Sequence, residues 1–119
     1  MVDFPALSVM NIDCLTPELL DELKEISINS EEEICGFLIK SNDDYFFKRC
    51  KNIHPDPKNY FLISPKEYNF DDGTIVFHSH PKNPDDKGFS DWDLENQFYF
   101  CLPMLLYSVN NNEFYYKNI

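Results

Sequence analysis

A continuous apolar run, Ile34–Ile39, constrains the fold of this chain more than any other stretch. An unbroken run of this kind is typical of a strand that is buried on both faces of a sheet. A second apolar run, Thr74–His78, predicts another strand. We therefore expect a sheet with helices packed on it.

Sequence signals place a helix before the first of these strands and another after the second. Thr16–Glu18 combines an N-cap residue, a proline at the first helical position and an acidic first turn, and apolar residues at helical spacing continue to about Ile28. Ser90–Asp93 opens a second helix, which should end near Phe98. Residues 1–15, which are broken by proline, predict an extended lead-in.

The remaining stretches predict shorter elements. Tyr45–Cys50 follows a turn and should pair with the first strand as a hairpin, while Tyr60–Ile63 predicts another short strand. Ser64–Glu67 fits a capping box that starts a brief helix. Pro103–Val109 and Glu113–Lys117 flank an asparagine-rich turn and predict a final hairpin. This order of elements is α+β, with a mixed sheet.

Composition limits the possible functions. The length of 119 residues predicts a single domain over residues 1–119, and a hydrophobic content of 43% predicts a globular chain. The net charge of -11 argues against nucleic acid and anionic membranes as partners. No cysteines form a Cys-x-x-Cys pair, which argues against a structural zinc knuckle. No signal peptide and no apolar run long enough to span a bilayer is recognisable, so a reducing cytoplasmic location is expected.

The second apolar run leads into two histidines that are one residue apart, His78 and His80. Residues i and i+2 of a strand point to the same side, so both imidazoles face one point, where they suit a metal with two nitrogen ligands. Asp91 and Asp93 at the start of the next helix are candidates for a third, carboxylate ligand. Such a set with an open position is typical of catalytic zinc, which lowers the pKa of its water to roughly 7.

Hydrolysis at such a site also needs a base and a hydrogen-bond donor. The base could be Glu31, Glu32 or Glu33, which immediately precede the first buried strand. Ser90 could donate a hydrogen bond to a developing oxyanion, and it is equally suited to cap the second helix.

Three segments in this order, Glu33–Gly36, His78–Pro81 and Ser90–Asp93, resemble the JAMM motif of the MPN metallopeptidases, which reads E-x-C-G, H-x-H-P and S-x-x-D. The resemblance extends over residues 17–117. It implies an MPN/JAB-like α+β fold with a cytidine-deaminase-like layout, in which helices flank a curved mixed sheet.

Carried over residue by residue, the resemblance implies zinc as the cofactor and His78, His80 and Asp93 as its ligands. Glu33 becomes the general base, and Ser90 becomes the stabiliser of the tetrahedral intermediate. The implied function is a zinc-dependent peptidase or isopeptidase that hydrolyses an amide bond of a protein or peptide substrate. An alternative from a different class is a non-catalytic assembly or scaffold module that zinc stabilises.

Within the family, the chain most resembles the N-terminal domain of lambda-like phage tail assembly proteins. This implies phage tail proteins as partners and the host cytoplasm as the location. The loop Pro81–Phe89 is longer than the family's usual spacing. An ungapped alignment would put Asp91 at the ligand position and Gly88 at that of the serine. We favour Asp93 because Ser90-x-x-Asp93 preserves both the serine and the helix register.

Overall fold

The structure, a computed structural model, describes residues 15–68, 71 and 73–119. The predicted lead-in and Cys14 lie outside these residues, apart from Leu15. The described residues form a mixed five-stranded sheet and two α-helices, which confirms the predicted α+β class. The helices are α1 (Pro17–Ile28) and α2 (Asp91–Phe100), and the strands are β1 (Cys35–Ser41), β2 (Asp44–Cys50), β3 (Ile75–His80), β4 (Met104–Ser108) and β5 (Glu113–Lys117).

The strand order of the sheet is β2-β1-β3-β4-β5. All neighbouring pairs are antiparallel except β3 and β4, which are parallel. Helix α2 makes the crossover between these two strands, as a parallel connection requires. The end of the central strand β3 therefore leads directly, through residues 81–90, into the start of α2.

Both faces of the sheet carry an apolar core. On one face, Leu19 and Leu23 of α1 pack against Leu38 and Phe77 of the sheet. A second cluster on the other face includes Phe37, Val76, Met104 and, from α2, Phe100. Neighbouring residues of β1, Phe37 and Leu38, are both 0% exposed, which confirms that this strand is buried on both faces.

Gly36 allows β2 to lie close to β1. A Cβ atom at this position would collide with the backbone carbonyl oxygen of Lys48 and with the Phe47 ring. Because a backbone carbonyl cannot move away without breaking the strand pair, only glycine fits here. The glycine of the Glu33–Gly36 segment thus has a packing role in the hairpin.

Two local predictions are wrong. Tyr60–Ile63 is not a strand, because its backbone has no ladder partner: Leu62 N–H donates to the Asn52 side chain, and Leu62 O accepts from Ile53 N–H. Ser64 forms no capping box, because Glu67 N–H donates to the Ser64 carbonyl and not to its hydroxyl. Only a three-residue 3-10 helix, Pro65–Glu67, follows.

The boundaries of the two helices follow their caps. The Thr16 hydroxyl accepts from Leu19 N–H, as predicted from the sequence, and α1 ends at Ile28. Helix α2 continues to Phe100, further than predicted, and ends where Cys101 adopts a left-handed conformation. Neither helix in the described part of the chain is both long enough and apolar enough to cross a membrane.

Candidate metal centre

Four side chains meet where the central strand ends: Glu33, His78, His80 and Asp93. Each offers one ligand atom, and these atoms all lie within 4.8 Å of one another. Glu33, His78 and Asp93 are buried, while His80 is partly exposed. Imidazole nitrogens and carboxylate oxygens are common metal ligands, so this cluster could hold a metal ion.

The chain path explains why these residues meet. His78 and His80 lie on the same side of β3 at its C-terminal end. Asp93 is in the first turn of α2, which begins just after this strand. Ser90 and Asp93 form a capping box: the Ser90 hydroxyl accepts from Asp93 N–H at 3.1 Å, and Asp93 Oδ2 accepts from Ser90 N–H at 2.9 Å. The box turns the carboxylate toward the histidines.

The distances within the cluster are short. Asp93 Oδ2 lies 3.0 Å from His80 Nε2 and 3.1 Å from His78 Nε2. The contact with His78 lacks hydrogen-bond alignment, so neither ring nitrogen of this buried histidine has a partner among the described residues. Glu33 Oε1 is also buried without a partner there, and Glu33 Oε2 lies 4.0 Å from His80 Nε2. Buried polar atoms normally have partners, and a bound cation would supply one to a ring nitrogen of His78.

Glu33 is fixed in place by its backbone. Its N–H donates to the Pro57 carbonyl at 2.8 Å, and its carbonyl accepts from the Asn52 side chain at 3.1 Å. The next residue, Ile34, donates its N–H to the hydroxyl of Ser79, which lies between the two histidines in β3. Glu33 is 4% exposed, whereas the side chains of the two preceding glutamates, residues 31 and 32, are exposed.

Aromatic rings cover the inner side of the cluster. The His78 ring stacks on Phe61, with the ring centroids 4.5 Å apart. The Trp92 indole N–H, next to Asp93, donates to the Phe61 carbonyl at 3.0 Å and holds this segment against α2. The Phe89 ring also lies near His78, tilted by 49° with the ring centroids 6.2 Å apart. These rings exclude water from the inner side, which lowers the local dielectric.

Burial and mutual charge shift the pKa values in this cluster. Burial raises the pKa of Glu33 to about 9, against the opposing effect of His80. Burial alone would lower the pKa of His80, but its hydrogen bond and charge interaction with Asp93, with help from Glu33 and Asp86, raise that pKa to about 9. Burial would likewise raise the pKa of Asp93, but the two imidazoles outweigh it and hold this pKa far below its usual range.

These pKa shifts predict how stability depends on pH in protein stripped of divalent metal. Between about pH 6 and 9 we expect the melting temperature to fall as the pH rises. Glu33 keeps its proton in the folded state up to about 9, whereas its ordinary pKa is 4.5. The raised pKa of His80 acts in the same direction, since its stabilisation is complete below 6.5 and is lost as the pH passes about 9.

Thermal unfolding followed by circular dichroism measures this dependence. Glu33→Gln should make it shallower, because glutamine does not titrate. A melting temperature that rises across the same pH window would contradict the expectation.

An open cleft of about 1290 Å³ reaches the cluster from outside. Glu33, His80 and Ser90 line it, while His78 and Asp93 lie behind them and are 0% and 1% exposed. The arrangement therefore offers a buried ligand set with one accessible side. The Glu33 carboxylate and the Ser90 hydroxyl face the cleft at that side.

The structure shows which of the predicted site residues lie together. Glu33, His78, His80 and Asp93 lie together, whereas Asp91 is exposed and is not part of the cluster. Ser90 caps α2 and also lines the cleft.

Two contacts of the cluster were not predicted from the sequence. The Asn52 side chain holds the Glu33 backbone, and Asp86 accepts a hydrogen bond from His80 Nδ1. Neither residue stands in a motif, and both act through contacts between segments that are distant in sequence.

No protein-family model matches this chain, and no curated protein matches it. The fold and the site therefore describe the protein in general terms. The chain forms a small α+β domain with a mixed sheet, and a candidate metal centre lies at the end of its central strand.

Proposed function

We propose that this protein is a zinc-dependent peptidase or isopeptidase with an MPN/JAB-like fold, which hydrolyses an amide bond of a protein or peptide. The observation that carries the proposal is the set of buried acceptor atoms at the end of β3. His78 Nε2 and Asp93 Oδ2 lie 3.1 Å apart without a hydrogen bond, and His80 Nε2 lies 3.0 Å from the same oxygen. A divalent cation accounts for this convergence.

The donor set fits zinc. Two imidazole nitrogens and one carboxylate oxygen, with a fourth position open toward a cleft, are the usual ligands of catalytic zinc. The same donors also suit non-haem iron(II). Burial raises the pKa of Glu33 in the absence of a metal, and a bound cation would lower it again, because a nearby positive charge favours the carboxylate. Glu33 then favours hydrolysis, since a buried carboxylate beside the ligands can act as a general base.

The alternative to a metal centre is a structural cluster in which a charged His80 pairs with two carboxylates. This alternative explains fewer of the observed contacts. A protonated His80 could donate to Asp86 and Asp93, whose oxygens lie at 2.9 and 3.0 Å. That arrangement would leave both ring nitrogens of His78 and Glu33 Oε1 buried without partners among the described residues. A bound metal would give one ring nitrogen of His78 a partner, and it would explain why both imidazoles lie close to Asp93 Oδ2, so we favour it.

In the proposed mechanism, His78, His80 and Asp93 hold the metal, and Glu33 moves the proton. A bound zinc ion supplies a Lewis acid that lowers the pKa of a water molecule to roughly 7. Glu33 takes a proton from the attacking water as the new carbon–oxygen bond forms. It then delivers this proton to the leaving nitrogen as the carbon–nitrogen bond breaks. The products are a carboxylic acid and an amine.

Ser90 is the proposed donor to the substrate oxygen. Its hydroxyl oxygen accepts from Asp93 N–H, which does not use the hydroxyl proton. That proton can point into the cleft, where a hydrogen bond to a developing oxyanion would stabilise the transition state. The capping and catalytic roles of Ser90 are therefore compatible.

The resemblance to the JAMM motif supports both the zinc assignment and the reaction. The proposal includes action on phage tail proteins in a host cytoplasm, and this part of it rests on the resemblance alone.

A zinc-stabilised assembly module is the second candidate. The observation in its favour is the outer side of α2, where Phe98 and Tyr99 are 85% and 76% exposed. Large exposed aromatic residues are typical of surfaces that bind other proteins. In that case, zinc would stabilise the end of the sheet that supports the helix.

Removal of the metal separates these functions. Purified protein should contain about one zinc per chain, as measured by plasma emission spectrometry. Treatment with a chelator should abolish cleavage of a fluorogenic library that contains both α-peptide bonds and lysine ε-amide bonds, and added zinc should restore it. A chelator that only lowers the melting temperature, with no cleavage before or after treatment, would favour the assembly module. Protein that neither contains zinc nor takes it up would rule out both.

A further inference from the structure

Asp86, in the loop between β3 and α2, has a buried carboxylate with several partners. Its Oδ1 accepts from His80 Nδ1 at 2.9 Å and from Gly88 N–H at 3.1 Å. Its Oδ2 accepts from the Ser108 hydroxyl at 2.6 Å. The side chain is 5% exposed, and the loop around it is otherwise mostly exposed.

The parallel strand pair explains these contacts. His80 and Ser108 are partners in the register of β3 and β4, so their side chains lie side by side on one face. Asp86 reaches back from the loop and bridges the two. Asn111 then fixes the other side of the bridge, because its side chain donates to the Asp86 carbonyl and its N–H donates to the Ser108 hydroxyl.

We propose that Asp86 is a positioning residue of the metal centre: its carboxylate holds the Nδ1–H of His80, so that the lone pair of His80 Nε2 faces Glu33, His78 and Asp93. This inference rests on the proposed function, because it assumes that the centre binds a divalent metal. Asp86 lies outside the three segments that resemble the JAMM motif, so the resemblance assigns it no role.

The chemistry of imidazole supports this role. A neutral histidine carries one ring proton, and the hydrogen bond at one nitrogen decides which nitrogen keeps its lone pair. An acceptor at Nδ1 fixes the proton there and leaves Nε2 available as a ligand. A charged acceptor also makes the ligand more basic, and the loss of such partners typically weakens metal binding 10–100-fold.

The position of Asp86 also gives the loop a function. Asp86 lies in the second half of the loop Pro81–Phe89, and its carboxylate reaches back to the outer edge of His80. The loop thereby holds one of the proposed ligands.

A competing explanation is that Asp86 only anchors the loop, through Ser108 and Gly88. Substitutions at two positions separate the two roles. Asp86→Asn is nearly isosteric and keeps the anchor, because Asn Nδ2 can donate to the Ser108 hydroxyl and Asn Oδ1 can still accept from Gly88. It removes the charge that faces His80. Ser108→Ala does the reverse, since it weakens the anchor and leaves the contact between Asp86 and His80.

The experiment measures the affinity of the full chain for Zn²⁺ by competition with a chromophoric chelator, at a temperature where circular dichroism shows each variant to be folded. We expect Asp86→Asn to bind zinc at least about 10-fold more weakly and Asp86→Ala up to about 100-fold more weakly. Ser108→Ala should remain within about threefold of the unsubstituted protein. Asp85→Asn is the matched control, because it removes a charge from the neighbouring, exposed position, and it should have no effect.

A spectroscopic measurement on the unsubstituted protein tests the proposal independently of any variant. In the zinc-loaded form, nitrogen-15 NMR of the histidine rings should show the His80 proton on Nδ1, with Nε2 bound to the metal. The opposite assignment would overturn the proposal, as would an Asp86→Ala variant that binds zinc as tightly as Asp85→Asn. Equal losses in Ser108→Ala and Asp86→Asn would reduce Asp86 to a loop anchor. If the unsubstituted protein takes up no zinc, the proposed function itself fails.

Discussion

Glu33→Gln should abolish amide hydrolysis and leave zinc binding intact. The substitution keeps the shape of the side chain and removes its ability to accept and deliver a proton. We expect kcat/KM to fall by about 10²–10⁴-fold, the usual contribution of a general base. Glu33 Oε2 lies 4.0 Å from His80 Nε2, so it can reach a water beside the ligands without being required as a ligand itself.

The matched control is Glu32→Gln, which makes the same change at the preceding, exposed residue and should leave kcat/KM unchanged. Zinc content is measured on the same samples, so that a loss of metal is not mistaken for the loss of a base. A Glu33→Gln variant that stays fully active would remove Glu33 from the mechanism. A variant that loses both zinc and activity would make Glu33 a ligand.

Asp93→Asn should reduce zinc affinity more than about 100-fold, which is beyond the effect of changes outside the ligand set. Asparagine can still accept a hydrogen bond from Ser90 N–H, so the capping box and α2 should persist. The loss of affinity therefore reports on the carboxylate as a ligand, and helix unfolding is not expected to contribute. The readouts are chelator competition for zinc and circular dichroism for the helix.

Asp91→Asn is the control for this substitution, and it also tests the alternative alignment. Asp91 lies two residues before Asp93 at the start of the same helix, but it is exposed and outside the cluster. Its substitution should change zinc affinity by less than about twofold, since exposed charges interact weakly with a site. If Asp91→Asn loses zinc and Asp93→Asn does not, the ungapped alignment is right.

Elements with strong local signals could be predicted from the sequence. The N-cap and proline at residues 16 and 17 define the start of α1, because capping depends on residues within one helical turn. The unbroken apolar run at β1 predicts burial on both faces, and this is observed. The side-by-side placement of His78 and His80 follows from strand geometry alone.

Features that depend on contacts between distant segments could not be predicted in this way. Tyr60–Ile63 has the composition of a strand, but the Asn52 side chain satisfies its backbone where a neighbouring strand was expected. By residue type alone, either Asp91 or Asp93 could be the carboxylate ligand. The orientation of α2 decides which of them joins the cluster. Asp86 carries no local signal, because its partners come from β3 and β4.

The capping box that turns Asp93 toward the histidines has a consequence for how fast and how selectively a metal can bind. Its two hydrogen bonds form within a single helical turn, so the carboxylate becomes ordered when the helix forms. The entropy of the Asp93 side chain is therefore lost when the protein folds and not when a metal binds. A carboxylate that is rigid before an ion binds cannot adjust its position to the size of that ion. Exchange of one ion for another should then proceed without local unfolding, and ions that require a larger or more flexible shell should be disfavoured.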